Sequence, residues 1–170
     1  KDIDNLIQKY AKWSAYEREI KGVLIAYSSV YGNTQSAAEI VANRLGEQGV
    51  KNIQMYDVSV THPSYVVAEA FRYSHIVFAT TTYNGGIFVT MENLLLDLKA
   101  HNLQNRTVAL IENGPWAATA AGQMKNILSS MKGMNVIANP VTLKSSVKPE
   151  KRDELIALAD AICETLKKRY

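Results

Sequence analysis

Sulfur, proline and the larger aromatic residues are scarce in this 170-residue chain, which has one Cys, four Pro, three Phe and two Trp. Cys163 alone forms no internal disulfide and has no second thiolate for a metal cage; this fits a reducing compartment, and a cytoplasmic location is the expectation. The three His, at 62, 75 and 101, are scattered without ligand spacing, so no zinc or diiron site is expected. Nine Gly and four Pro are too few for a collagenous or low-complexity chain. No apolar run reaches the ~18 residues of a membrane span, and no secretory signal pattern opens the chain. A formal charge of +3 without any long run of like charge excludes a nucleic-acid arm, so neither nucleic acid nor membrane is an expected partner. The chain opens on Lys1 rather than Met, as a piece of a longer protein would.

What is present is an ordinary globular share of apolar residues, 47%. A chain of this size buries roughly 70% of its extended surface, so one core can form without disulfide or metal. Over residues 2–19, Ile3, Leu6, Ile7 and Tyr10 form the i, i+3, i+4, i+7 series of a helix with one apolar face, and Trp13 and Tyr16 continue it less regularly. This helix either packs on the domain or links it to something else. The expected division is residues 1–20 as a linker helix and 21–170 as the domain.

Beyond Gly22 the pattern changes to Val23-Leu24-Ile25-Ala26-Tyr27, a short continuous apolar run suited to a strand covered on both faces. Ala37, Ile40, Val41 and Leu45 then share a helical face, and Gly49 is a plausible C-terminal cap. The alternation repeats. Strands are expected at 53–58, 75–79 and 108–111, with an extended segment at 136–143 broken by Pro140. Helices are expected at 64–72, around Met91 to Leu98, at 120–131 and along the Leu155 to Leu166 stripe. Five buried-type strands alternating with helices imply a doubly wound α/β fold with a five-stranded parallel sheet. Ligands of such sheets sit at the carboxyl ends of strands where the strand order reverses, which directs attention to three loops.

The first loop, Ser29-Val30-Tyr31-Gly32-Asn33-Thr34, places hydroxyls and an amide between a strand and a helix start. Unpaired helix N–H groups carry about half a unit of positive charge, so a phosphate could bind there without a cation. The loop lacks Lys and Arg and matches neither G-x-x-x-x-G-K-[ST] nor G-x-G-x-x-G. The plain alternative is that Asn33 or Thr34 caps the helix. In the second loop, hydroxyls and Tyr83 precede Asn84, Gly85 and Gly86 within Thr80–Gly86, able to bring backbone amides close to a flat ligand; an ordinary Asn-Gly turn is the alternative. The third, Glu112-Asn113-Gly114-Pro115-Trp116-Ala117, puts a Trp beside Gly and Pro, where a stacked planar ligand or cover for the sheet edge would explain it. Together the loops describe a pocket for a flat ring with a phosphorylated tail, and flavin mononucleotide (FMN) fits.

With Ser-x-Tyr-Gly-Asn-Thr at 29–34, Thr82-Tyr83-Asn84-Gly85 and the Trp116 loop, the chain from about Lys21 to Tyr170 resembles the flavodoxin fold family. Ile25-Ala26-Tyr27 with Tyr31-Gly32-Asn33-Thr34, and Tyr83-Asn84-Gly85-Gly86-Ile87-Phe88, are similar to the flavodoxin-like domain of flavodiiron proteins. Tyr10-Ala11-Lys12-Trp13-Ser14 resembles the segment joining that domain to their metal domain. The resemblance implies strand order 2-1-3-4-5, with the FMN phosphate held by Ser29, Tyr31, Gly32, Asn33 and Thr34. Thr82 to Gly86 and Asn113 to Trp116 would flank the ring. It also implies electron transfer from a redox partner, rubredoxin or a reductase, to a diiron centre on a domain absent from this chain, and a possible homodimer of the full-length protein. A free-standing flavodoxin carrier and an NAD(P)H-dependent quinone or flavin reductase are the alternatives. Thr81 and Val89 stand where the family often has Pro, and Glu112-Asn113-Gly114-Pro115 replaces a Gly-Ser-aromatic-Gly stretch, so the ring contacts are expected to differ.

Overall fold

The apolar runs become the strands of one sheet in the computed structural model, which describes residues 2–114 and 116–168. The strands are β1 (Ile20–Tyr27), β2 (Ile53–Asp57), β3 (Tyr73–Tyr83), β4 (Gly86–Ile87), β5 (Thr107–Asn113), β6 (Asn135–Val136) and β7 (Val141–Leu143). The helices are α1 (Ile3–Ser14), α2 (Asn33–Glu47), α3 (Pro63–Arg72), α4 (Val89–Ala100), α5 (Ala120–Ser129) and α6 (Pro149–Lys168). The parallel order is β2-β1-β3-β5, followed by β6 and β7, which both pair with β5. This is the expected doubly wound arrangement, with two short strands sharing the fifth position. Left-handed Ala138, at φ 58°, and Pro140 interrupt them, because neither continues a ladder.

Alternate residues of each central strand point to opposite faces, so continuous apolar runs feed two cores. Leu24, Ile76, Phe78, Val108 and Leu110 pack with Val66, Leu94, Leu98 and Met124 of α3, α4 and α5. Val23, Ile25, Val77, Ala109 and Ile111 pack with Val41 and Leu45 of α2 and Leu155 and Ile162 of α6. Full burial of a Leu or Ile side chain contributes roughly 1.5–3 kcal/mol. These two layers therefore hold the strand ends, and the loops between them, in fixed register.

The largest fully buried side chain is Arg106. Its guanidinium donates to the Ala70 and Phe71 carbonyls at the end of α3, to Gln104 and Asn105, and to the Tyr16 carbonyl at 3.1 Å. Burial of a cation is tolerable when its donors are met by oriented carbonyl dipoles. One consequence is that the connection between α1 and β1 is fastened to the domain; Glu19 adds to this, accepting from Trp13 Nε1 and pairing with Arg72 at 3.6 Å.

Helix α1 is shorter than its sequence pattern, since left-handed Tyr16 (φ 55°) lies just beyond its end. Of the two roles left open for it, packing on this domain is not what the structure shows: none of its residues is buried, and Ile3, Leu6, Ile7 and Tyr10 lie in solvent. Among the described residues no helix is long and apolar enough to cross a membrane.

Candidate functional site

The carboxyl ends of β1, β3 and β5 converge on one cleft, and the chain leaves each strand differently. After β1 it stays fastened to its neighbour: Ser28 N donates to Ala79 O at 2.9 Å, and Ser28 Oγ pairs with Thr80 Oγ1 at 2.7 Å. The next hydroxyl, Ser29 Oγ, is buried and has no hydrogen-bond partner. Gly32, at φ 83°, then turns the chain into α2 as its N-cap residue, and no side chain caps the helix. That φ strains any side chain bearing a Cβ. The alternative capping role of Asn33 or Thr34 is therefore not what these residues do. Thr34 Oγ1 pairs with Thr81 Oγ1 at 3.1 Å, and Asn33 Nδ2 donates to Ser145 Oγ at 3.4 Å. The first turn of α2 also carries no acidic residue.

β3 runs past its apolar stretch through Thr80, Thr81 and Thr82 to Tyr83 and doubles back as β4, with Thr82 opposite Ile87 and Tyr83 opposite Gly86. Asn84 (φ 49°) and Gly85 (φ 72°) are both left-handed, as the two-residue turn of a twisted hairpin requires. The Asn-Gly turn is thus a hairpin tip, and it is anchored, because Gly85 O accepts from Thr119 Oγ1 at 2.9 Å and Gln123 Nε2 at 2.8 Å. Thr82 Oγ1 accepts from the backbone N–H groups of Thr119 and Ala120. The Tyr83 ring meets Phe88 edge-on at 5.8 Å.

At the end of β5, the Glu112 carboxylate accepts from Ala121 N and from Thr142 Oγ1, each at 2.8 Å, and so occupies the start of α5. Asn113 uses both ends of its amide on one residue: Nδ2 donates to Ser145 O and Oδ1 accepts from Ser145 N, each at 2.9 Å. Gly114 packs so closely that a Cβ there would lie 3.1 Å from Ala118 Cα and 3.2 Å from Thr82 Cβ. Trp116 is 96% exposed.

The cleft between these loops has a volume of about 350 Å³ and is lined by Ser29, Val30, Tyr31, Asn33, Thr34, Thr81, Thr82, Tyr83, Asn113 and Ser145. Eight of the expected site residues fall in this lining. Gly32 lies in the turn beneath it. Asn84, Gly85 and Gly86 form the hairpin, while Gly114, Trp116 and Ala117 follow β5, and none of these lines the cleft. Pro115 lies outside the described residues. Thr81 and Ser145 were not expected: Thr81 was visible as a hydroxyl in the second loop, whereas Ser145 comes from a distant loop after β7 and has no local signal beyond a Ser-Ser pair.

No charged side chain lines the cleft. At the end of β1, burial raises the Tyr27 phenol above its ordinary value, with Asp57 and Glu39 adding to the shift, so it brings no negative charge to this edge at neutral pH. Tyr31 and Tyr83 are exposed at the rim. A cleft with polar uncharged walls, an open helix start and exposed rings accommodates an anion joined to a flat apolar body. Among the described residues no group of three His, Cys, Asp or Glu is placed to hold a metal ion.

Residues 24–143 match the family model described as a flavodoxin domain. The chain therefore belongs to the flavodoxin-domain family. It is 22% identical over 161 residues to a rubredoxin-oxygen oxidoreductase of Megalodesulfovibrio gigas, covering 95% of this chain and 39% of that protein. Among solved structures, rubredoxin oxygen:oxidoreductase from the anaerobe Desulfovibrio gigas superposes with a TM-score of 0.88 at 22% identity, over 95% of this chain and 39% of that one. An archaeal flavodoxin superposes with a TM-score of 0.74 at 21% identity, over 86% of this chain and 99% of its own. The chain spans about two fifths of the length of the curated relatives it matches.

Proposed function

We propose that the cleft holds FMN and that the chain is the flavodoxin-like, electron-transferring part of a flavodiiron oxygen or nitric oxide reductase. The observation that carries the cofactor is the Ser29 hydroxyl, buried without a partner beside the uncapped start of α2. A buried polar atom left unmatched costs about 1–3 kcal/mol, and a phosphate oxygen is a group of the right chemistry to meet it. Ser29, Tyr31, Gly32, Asn33 and Thr34, with the first amides of α2, would hold the phosphate, and Val30 would border them. The hairpin at Thr82 to Gly86 and the segment from Asn113 to Ala117 would flank the ring. When bound, FMN supplies one- and two-electron redox chemistry. The chain itself contributes position, a wall without fixed charge, and partial exclusion of water; no residue is assigned as acid, base or nucleophile.

The flavodiiron reading rests further on α1. A rubredoxin-oxygen oxidoreductase is matched over 95% of this chain and the archaeal flavodoxin over 86%. That difference is the order of size of α1 with its connection to β1. On this reading, electrons arrive from rubredoxin or a reductase and leave for a diiron centre on another part of a longer protein, in a reducing compartment such as the cytoplasm. The second reading is a free-standing flavodoxin, favoured by the match to nearly the whole archaeal flavodoxin; it leaves the apolar face of α1 unexplained.

Titration of the flavin-free chain with FMN, followed by quenching of flavin fluorescence, tests the cofactor. The expected result is saturable binding with Kd below about 1 μM, roughly 8 kcal/mol. Absence of binding at that concentration removes the electron-transfer reading and leaves the fold.

A further inference from the structure

The cleft has a wall that comes from neither of its neighbouring loops. Ser145 lies 32 residues from Asn113 and 112 from Asn33, yet it stands between them on the cleft lining. Its backbone is left-handed, at φ 74°, a conformation that is unfavourable for a residue with a Cβ and persists where surrounding contacts enforce it. The enforcing contact is the Asn113 amide, which mimics a peptide unit and bonds both the N–H and the C=O of Ser145. Asn113 is 5% exposed, so its two bonds are sheltered from competition by water. The outcome is a serine hydroxyl carried to Asn33, on the first turn of α2, at the end of the cleft where Ser29 Oγ lies unpartnered.

Resting on the FMN reading above, we infer that Ser145 is a phosphate-selecting residue and Asn113 its positioning residue. The Asn113 amide latches the loop after β7 across the anion end, and the Ser145 hydroxyl, weakly engaged by Asn33 at 3.4 Å, turns to the phosphomonoester. The ring-end loops bind flavin with or without a phosphate, whereas the latch rewards only the phosphate. It therefore sets the preference for FMN over riboflavin.

The test compares Kd for FMN and for riboflavin in the parent, Ser145→Gly, Asn113→Leu and the double variant. Glycine suits the φ of residue 145 and removes the hydroxymethyl side chain while keeping the N–H and C=O that bond Asn113, so the loop itself is retained. One hydrogen bond to a charged group corresponds to about a tenfold change in binding. Ser145→Gly is expected to weaken FMN by about that factor and riboflavin by less than about twofold. Asn113→Leu is expected to weaken FMN by at least that factor, and adding Ser145→Gly to it is expected to weaken FMN no further, as coupled partners do. An unchanged FMN-to-riboflavin ratio in Ser145→Gly overturns the latch while leaving FMN binding intact, and so does a double variant whose FMN loss is the sum of the two single losses. Failure of the parent to bind FMN overturns the underlying reading instead, and the latch with it.

Discussion

Two helices start at the carboxyl edge of the sheet after central strands, and they solve the same problem in opposite ways. At α5 the chain supplies its own anion: Glu112 accepts from Ala121 N, and Thr82 Oγ1 accepts from Thr119 N and Ala120 N. Neither helix has an acidic first turn or a cap from its own N-cap side chain; the difference is that these acceptors reach α5 from other elements, whereas beside α2 the Ser29 hydroxyl lies buried without a partner. A helix N-terminus attracts negative charge wherever it occurs. What separates a structural end from a binding end is whether the protein has already filled it.

The strongest way to break this contrast is to fill α2 as α5 is filled. Ser29→Asp places a carboxylate beside the open helix start, where it competes with a phosphate and repels it. FMN affinity is expected to fall by about 100-fold or more in a fluorescence titration, with the thermal midpoint of the flavin-free chain nearly unchanged. Opening the closed end is the converse. Glu112→Ala strands Ala121 N and Thr142 Oγ1 and is expected to cost about 1–3 kcal/mol. For a domain of this size that lowers Tm by roughly 2–4 °C per kcal/mol, read by calorimetry. Millimolar sulfate is expected to recover more stability in this variant than in the parent.

A smaller effect separates the anion end from the ring end. Trp116→Ala removes an exposed ring from the segment after β5, and a stacking contact contributes about 0.5–1.5 kcal/mol. Kd is expected to rise up to about tenfold, for FMN and riboflavin alike, unlike the selective loss predicted for Ser145→Gly. The smallest effect concerns the far side of the molecule. Burial pushes the Cys163 thiol up, with Asp160 opposing the help of Lys167 and Arg44. Because the thiolate is the reactive form, alkylation of the native chain at pH 8 is expected to be slower than that of the urea-unfolded chain and to speed up as pH rises. FMN binding is expected to be indifferent to it.

How much of this could be read from residues alone depended on whether the cause was local. β1, β3 and β5 were legible because burial on both faces leaves a continuous apolar run, as in Val23 to Ala26. The extension of β3 through Thr80 to Tyr83 was not, because its side chains turn polar there: Thr80 and Thr81 still pair with Glu112 and Asn113 of β5, and Thr82 and Tyr83 pair with the two-residue β4. Asn84-Gly85 was legible as a turn, but its hairpin geometry depends on that short partner. The first loop was visible because strand, hydroxyls and helix start are adjacent in the chain. Ser145 was invisible for the opposite reason, since only the parallel alignment of β7 with β5 brings it to Asn113. Glu112 was seen as part of a binding loop; its bonds to α5 and β7 depend on how those elements dock.

The divided fifth position of the sheet has an effect on the molecule's behaviour in crowded solution. An uninterrupted border strand exposes a row of unused amides and carbonyls that a stray chain can extend into a growing ribbon. Here that border consists of a two-residue and a three-residue strand separated by left-handed Ala138 and by Pro140. A newcomer would find no run long enough to zip onto, so this flank is guarded against amyloid-like growth by its own brevity.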